Sequence, residues 1–499
     1  MSAPTALEAG ALLRGLAWRV RSHPQSASIH LDAERRANDA LAALTRDHDL
    51  LCRQACDPLE IAAVLETAGI DDRRARGDFQ SAGVFEVAEQ MWQLVPWRPA
   101  TDGSRVDPWR LPLWRAQLRG LLYALPALLA SAVLGQIGAG PGHVLLFAAT
   151  AASIALGQAL SVLGHVLAGR GQRRAVATLG RGALIGALVV TVLLTATLVL
   201  TGGQLRLGLL SGGQLLFVVS ATMLMINGSD RLLLGVIAPG VTMVGLEFAG
   251  VPIAALIGLP PVALLLGAPA ITVLACAACA WLRMRAATEG EPLRRALGRP
   301  ELSVAATAAG YGIGLSALVS FAVLAIASGR VGEPSGRIVA ATLPLTATFG
   351  IAEYLLHRAR GRSVAGLGRA RLVTGFARRS LGELRAMVAL HAIAVAVVGA
   401  LVVLVAGGGR LDPALIGYTA SYAVLSVTLL LCTTLMSFGY VSLAAWQACG
   451  GAAVLLLVGA LAPLRNAALV DLQLGVLTVL LLIAYRLTAV RFKTASAHR

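Results

Sequence analysis

Charged side chains are scarce: Asp, Glu, Lys and Arg make up 14% of the 499 residues against 57% hydrophobic, and mean hydropathy is +0.74. That excludes a soluble globular chain, and the apolar residues fall in runs long enough to cross a bilayer. Cysteine is scarce too, and its six copies suggest no disulfide framework. Cys52 and Cys56 fall in a segment read as cytosolic, Cys432 and Cys449 in apolar runs, and Cys276 and Cys279 make a CxxC inside the unbroken run ITVLACAACAWL. A zinc or redox site needs further ligands and polar access, so this pair reads as small residues on a helix-packing surface; no metal and no cofactor is expected. The opening stretch MSAPTALEAGALLRGLAWRVRSHP has no clean apolar core, because Glu8, Arg14, Arg19 and Arg21 break it. It reads as an amphipathic helix rather than a cleavable signal, which leaves the N-terminal segment in the cytosol.

What is present divides the chain into three: residues 1–110, 111–302 and 303–499. The first is a cytosolic helical module with an interfacial linker. Leu31 to Gln54 is charged throughout, with Leu41, Leu44 and Leu51 as possible buried positions. Asp57 as N-cap, Pro58 at the first helical position and Glu60 at N3 start a second helix, which Gly69 stops. A third, residues 82–95, puts Val84, Phe85, Ala88, Met91 and Trp92 on one apolar face. The module has no nucleotide loop, metal spacing or triad. In the linker, Trp109 and Trp114 interleave with Arg110 and Arg115 as a collar at the headgroup level.

Twelve spans follow: residues 118–137, 143–168, 183–201, 208–227, 232–257 and 262–283, then 303–328, 337–357, 387–406, 414–436, 440–463 and 468–487. Arginine concentrates on one set of loops, in Arg170 to Arg181, Arg283 to Arg299 and Arg358 to Arg385, while the opposite set has Arg206, Arg330, Arg337, Arg410 and Arg465. The positive-inside rule puts the rich set and both termini in the cytosol of a cell (inner or plasma) membrane protein. The formal charge of +16 therefore reads as topology and anionic-lipid contact, and no nucleic acid partner is expected. Each half places its main basic loop after its second span and a tight turn after its fourth, NGSDR at 227–231 and SFGY at 437–440. The second basic loop, 358–386, is the longer. Six spans per half give both halves one orientation, a parallel repeat around an axis along the membrane normal. The expected fold is all-α and polytopic, with about 12 transmembrane helices in two six-helix bundles.

That layout, with the amphipathic stretch VTGFARRSLGELRAMVALHAIAV feeding directly into a span, resembles the multidrug/oligosaccharidyl-lipid/polysaccharide exporter superfamily over about residues 115–490. The resemblance implies alternating access: two bundles rock around a central cavity. Lipid II flippases of that superfamily hold arginines in the cavity, and LLYALPALLASAVLGQIG of span one and HVLLFAATAASIALGQALSVLGHVLAG of span two carry none. Multidrug extruders commonly carry a carboxylate in an early span, also missing there. The branch implied is a polysaccharide or lipid-linked glycan transporter, with the lipid bilayer and a saccharide or lipid-linked saccharide as partners and a glycan synthase or cytosolic protein on residues 1–110. The chain is read as no enzyme. Polyprenyl-phosphate glycosyltransferases need carboxylates on an outer loop, and QIGAGPG after span one has none. That multi-span enzyme and a non-transporting scaffold for a synthase are the alternatives.

An ionisable group at membrane depth is costly and so a candidate for function. Glu247 is a coupling candidate, or a carboxylate reaching an outer vestibule; Pro239 and Gly240 are expected to interrupt its helix. Glu353 and His357 share a face one turn apart, as a coupling pair or a local ion pair. His391 opens span nine and His165 ends span two, as coupling or packing groups. Gln158, Gln214, Gln447 and Asp471 are candidates for a polar cavity wall; for the glutamines the alternative is interhelical glue, while Asp471 falls with Gln473, Arg465 and Asn466 in the outer headgroup zone. Arg173, Arg174, Arg378 and Arg379 are candidates for an anionic headgroup, or topology signals.

Overall fold

The computed structural model describes residues 24–55, 57–95, 111–120, 142–201, 205–248, 251–285, 290–327, 340–367, 373–461 and 467–494. The opening amphipathic stretch, Cys56, Trp109, Arg110, span one beyond residue 120, Arg330, Arg337, Arg465 and Asn466 lie outside them. The described residues contain helices and no strand. Two compact units form: Met1–Pro108 with Arg362–Ser380 and His498–Arg499, and Trp109–Gly361 with Leu381–Ala497.

In the first unit the N-terminal module has helices α1 (Pro24–Asp47), α2 (Asp49–Gln54), α3 (Pro58–Thr67), α4 (Asp72–Asp78) and α5 (Val84–Leu94). The start signal at Asp57 is used as the sequence suggests: its side chain accepts a hydrogen bond from Leu59 N at 2.9 Å, and Pro58 occupies the first turn. Gly69 stops α3 with φ +82°, where a β-carbon would be strained. Ile61, Leu65, Val84, Val87, Ala88 and Met91 close the core. Phe85 departs from expectation. It is 58% exposed, because the buried stripe of α5 runs through Val84, Val87, Ala88 and Met91 and turns the next position outward. The short α4 is capped by Asp71, whose carboxylate accepts from Arg74 N at 2.9 Å.

The second unit begins with α6 (residues 113–120), followed by α7 (Gly142–Gly169), α8 (Arg173–Leu200), α9 (Leu205–Ile226), α10 (Asp230–Phe248), α11 (Ile253–Leu256), α12 (Pro261–Arg285) and α13 (Leu293–Ala296). The second half has α14 (Arg299–Ala327), α15 (Leu343–Ala347), α16 (Phe349–Leu367), α17 (Val373–Ala406), α18 (Pro413–Ser437), α19 (Val441–Leu461) and α20 (Ala467–Phe492). Among the described residues nine helices are long and apolar enough to cross a membrane, and they are spans two, three, four, six, seven and nine to twelve. The chain is a multi-pass membrane protein.

Of the other three expected spans, five and eight differ from expectation. Span one lies mostly outside the described residues. Span five ends at Phe248 rather than near 257, and Pro239 sits within its helix without ending it. Span eight is divided at Thr348 between α15 and α16, with Pro344 in the first piece. The basic segments are also more helical than glycine content suggests. Arg358 lies inside α16, Arg378 to Arg385 inside α17, and the first basic loop shortens to Arg170–Gln172 before α8 starts. Once a span has paid for nucleation, adding turns at its end costs little even for glycine.

Each half has its own core. Val219, Met223, Leu224, Leu233, Ile237 and Met284 lie in the first; Tyr422, Leu425, Leu455, Leu469 and Leu477 lie in the second. The halves meet along α7 and α14, spans two and seven. A β-carbon on Gly312 would stand 2.7 Å from Ala155 Cα, so these backbones approach as only a glycine permits.

Candidate functional site

The site grows from Arg119 and Gly120 on α6. Gly120 lies against Gly350, the second residue of α16: a β-carbon on Gly120 would be 2.7 Å from Gly350 Cα, and one on Gly350 would be 2.8 Å from Gln117 Cα. Small residues therefore let the start of span one cross span eight backbone to backbone. Arg119 and Glu353 flank that crossing, one residue before Gly120 and three after Gly350. Arg119 Nη1 donates to Glu353 Oε1 at 2.8 Å, and its Nε donates to Asp230 Oδ2 at 2.9 Å. Asp230 opens α10 directly after the tight turn NGSDR. Trp114, in the first turn of α6, has the guanidinium carbons of its neighbour Arg115 and of Arg231 on α10 5.2 and 5.7 Å from its ring centre.

The charges do not balance. One arginine faces two carboxylates, whose side chains are 19% and 17% exposed. Asp230 Oδ1 and Glu353 Oε2 are buried with no hydrogen-bond partner among the described residues. A half-buried group of this kind is held by its geometry, and displacement of one helix leaves a charge uncompensated. It can therefore act as a latch between the halves, since Arg119 and Asp230 belong to the first and Glu353 to the second.

A second ion pair crosses the same seam. Arg170 Nη2, at the end of span two, donates to Glu301 Oε1 at 2.7 Å, at the start of span seven. Beside it Gln172 Oε1 accepts from Glu291 N at 2.6 Å, against Gly290 with φ +103°. A rotation exchanging the halves carries span one onto seven and span eight onto two. In the repeat expected from the sequence, the two ion pairs therefore fall at corresponding span ends, with their charges interchanged.

Of the residues the sequence singles out, Glu353 is in the latch, and Arg119 takes its carboxylate from across the seam; His357 follows one turn along α16, half-buried. Glu247 lies in the last turn of α10, where its Oε2 accepts from Ala254 N at 2.9 Å and caps the next short helix. His391 is fully buried, its Nε2 3.0 Å from Ser426 Oγ. His165 Nδ1 lies 2.7 Å from Ser161 O in its own helix. Gln214 accepts from Thr150 at 3.1 Å and Gln447 from Cys432 Sγ at 3.5 Å, so both join neighbouring helices. Gln158 is half-buried on α7. Asp471 is exposed and, with Gln447 and Trp446, lines a largely apolar groove of about 760 Å³ between α19 and α20. Arg173, Arg174, Arg378 and Arg379 are exposed on helices. Among the described residues no cluster of three or more His, Cys, Asp or Glu could hold a metal.

Arg119, Asp230 and Glu301 are absent from the sequence-based candidates. The apolar run of span one starts at Leu121, and Arg119, two residues before it, lies within the expected span 118–137. Its signal was its position inside that span edge; Asp230 was visible only as part of a turn.

No family model and no curated protein matches the chain. Solved structures do. A MATE in complex with MaD3S aligns over 78% of this chain and 98% of its own at 12% identity, with TM-score 0.48. An outward-facing multidrug resistance MATE family transporter of the MOP superfamily aligns over 80% and 100% at 13% identity, with TM-score 0.45. A MOP superfamily transporter from Pyrococcus furiosus aligns over 77% and 95% at 13% identity, also with TM-score 0.45.

Proposed function

We propose that the chain is an alternating-access transporter of the MOP exporter superfamily, moving a polysaccharide or a lipid-linked saccharide across the inner or plasma membrane, with both termini in the cytosol. The observation that carries the reading is the seam: Arg119 with Glu353, and Arg170 with Glu301, join the two halves at one end by ion pairs. Halves that must separate and rejoin are served by polar contacts at that edge, because hydrated charges can exchange partners as the cavity opens. An interlocked apolar edge would expose its surface to water each time. The latch is then the cytosolic gate. Arg173, Arg174, Arg378 and Arg379 are proposed to gather an anionic headgroup near it, and residues 1–110 to receive a glycan synthase or another cytosolic protein.

Proteoliposomes holding the full chain and a fluorescent polyprenyl-diphosphate-linked saccharide test this, with leaflet exposure read by a membrane-impermeant quencher. Movement above empty vesicles, retained after deletion of residues 1–110, is expected. Absence of movement for this probe and for a soluble oligosaccharide, with the protein folded, would overturn the transport reading and favour a scaffold.

A further inference from the structure

Span eight is divided where it could control the gate. Thr348 separates α15 from α16, and its Oγ1 donates to Pro344 O at 2.6 Å. Thr348 N also donates to Pro344 O, at 3.3 Å, so backbone and hydroxyl share one acceptor in this turn, and Thr348 is completely buried. Ser426 Oγ on α18 lies 3.3 Å from Thr348 Oγ1, and His391 Nε2 on α17 lies 3.0 Å from Ser426 Oγ. Counting protons fixes the direction of this chain. Thr348 has one hydroxyl proton and gives it to Pro344, so it accepts from Ser426; Ser426 has then spent its own proton and accepts from His391 Nε2–H. The neutral ring therefore carries its proton on Nε2 and leaves Nδ1 bare. That Nδ1 is buried and has no hydrogen-bond partner among the described residues.

The other side of the break leads to the latch. Two residues after Thr348 stands Gly350, crossed by α6, and one turn further stands Glu353, paired with Arg119. One end of this short stretch is thus held by a hydrogen-bond chain inside the second half, and the other by the first half.

We propose that Nδ1 of His391 is a proton-binding site that sets the position of α16 at the Thr348 break and so opens or closes the gate between Arg119 and Glu353. The inference rests on the gate reading. A proton on Nδ1 creates a buried cation, which is costly in the packed arrangement and is accommodated once the break moves and water enters. The state that binds the proton better gains population as pH falls, so acid opens the gate. Titratable or charged groups on these helices and on α20 include Glu353, Tyr354, His357, Arg358 and Arg360 on α16, Glu383 and Arg385 on α17, Tyr422 and Cys432 on α18, and Tyr485 and Arg486 on α20. Those nearest in sequence to the gate, Glu353 and His357, are the competing sensors.

Clickable spin labels at Asn227 and Arg358, both exposed and on opposite sides of the seam, report gate opening in the full chain in nanodiscs. Between about pH 8 and pH 5.5 the long-distance fraction should rise about tenfold, within what one linked proton allows. In His391→Gln the amide still donates to Ser426 but takes no proton, so the closed distance should persist and the pH response vanish. Ser426→Ala, which cuts the chain while keeping the histidine, should also abolish the response and stands in if the first variant does not fold. A wild-type pH response surviving in His391→Gln, or no response in the wild type, overturns the proposal. Glu353→Gln separates the two readings: opening at every pH upholds the gate whatever His391 does, whereas unchanged distances in that variant discard the gate itself.

Discussion

The seam between the halves is built twice, and the two copies are unequal. Arg119 and Glu353 meet with side chains 34% and 17% exposed, beside a glycine crossing and a second carboxylate, Asp230. Arg170 and Glu301 meet at 2.7 Å with side chains 51% and 17% exposed, and among the described residues Glu301 has this one arginine partner and no neighbouring second carboxylate in the pair. Distance alone would rank the second pair higher. The arginine's burial reverses the order, because the more exposed Arg170 loses little when its partner leaves, whereas Arg119, sheltered between helices, loses solvation it cannot recover. Geometry is shared by the two copies; the energy available for switching is concentrated in one.

The largest effect should come from the crossing itself. Gly350→Val places a β-carbon against Ala116 O and Gln117 Cα, both backbone, so neither neighbour can turn aside. We expect destabilisation of about 2–3 kcal/mol, from overpacking at a contact with no compliant side chain. Thermal unfolding in detergent reads it, and a wild-type midpoint would mean that the crossing carries no load. Next comes Glu353→Ala, which leaves Arg119 to Asp230 alone and should cost about 1–2 kcal/mol, between the values for exposed and buried pairs. Its counterpart Glu301→Ala should leave the unfolding midpoint within error at 150 mM salt (about one Debye length of 8 Å), with any effect visible only at low ionic strength. Equal losses in the two variants would erase the distinction between the seams.

Asp71 extends the comparison to a carboxylate held without an arginine partner in the seam. The backbone N–H of Arg74 holds its carboxyl below the usual aspartate range. A depressed folded value means that its contribution is present above the unfolded pKa and lost as pH falls through the folded one. Residues of α4 should therefore exchange their amide hydrogens faster in Asp71→Asn than in the wild type at neutral pH, and the difference should shrink in acid. Exchange that differs equally at every pH would assign the effect to shape rather than charge.

Much of the fold was legible in sequence because each segment answers to a simple local test. Spans two, four, six, seven and nine to twelve announce themselves by apolar length, and Asp57 with Pro58 announces α3. Span eight was legible only as a run of apolar residues: Pro344 marks where it could bend, but the contacts of Thr348 with Ser426, and of Ser426 with His391, come from other helices. Phe85 was misplaced because a phenylalanine fits an apolar stripe by type, while the phase of α5 is set by Val87 and Ala88 against α3. Among candidate residues Glu353 and His391 were visible as charges or polar groups out of place. Arg119 was hidden by the rule that located it, since an arginine at a span edge already has an explanation.

Sequence by itself determined that the chain is a multi-pass helical membrane protein, since hydropathy compares each segment with lipid and water separately. Tertiary structure alone decided that Arg119 meets Glu353, 234 positions away, and Asp230, 111 positions away. The reason is physical: transfer to lipid is a property of one segment, whereas an ion pair depends on where two backbones cross, and that was decided by Gly120 and Gly350 together.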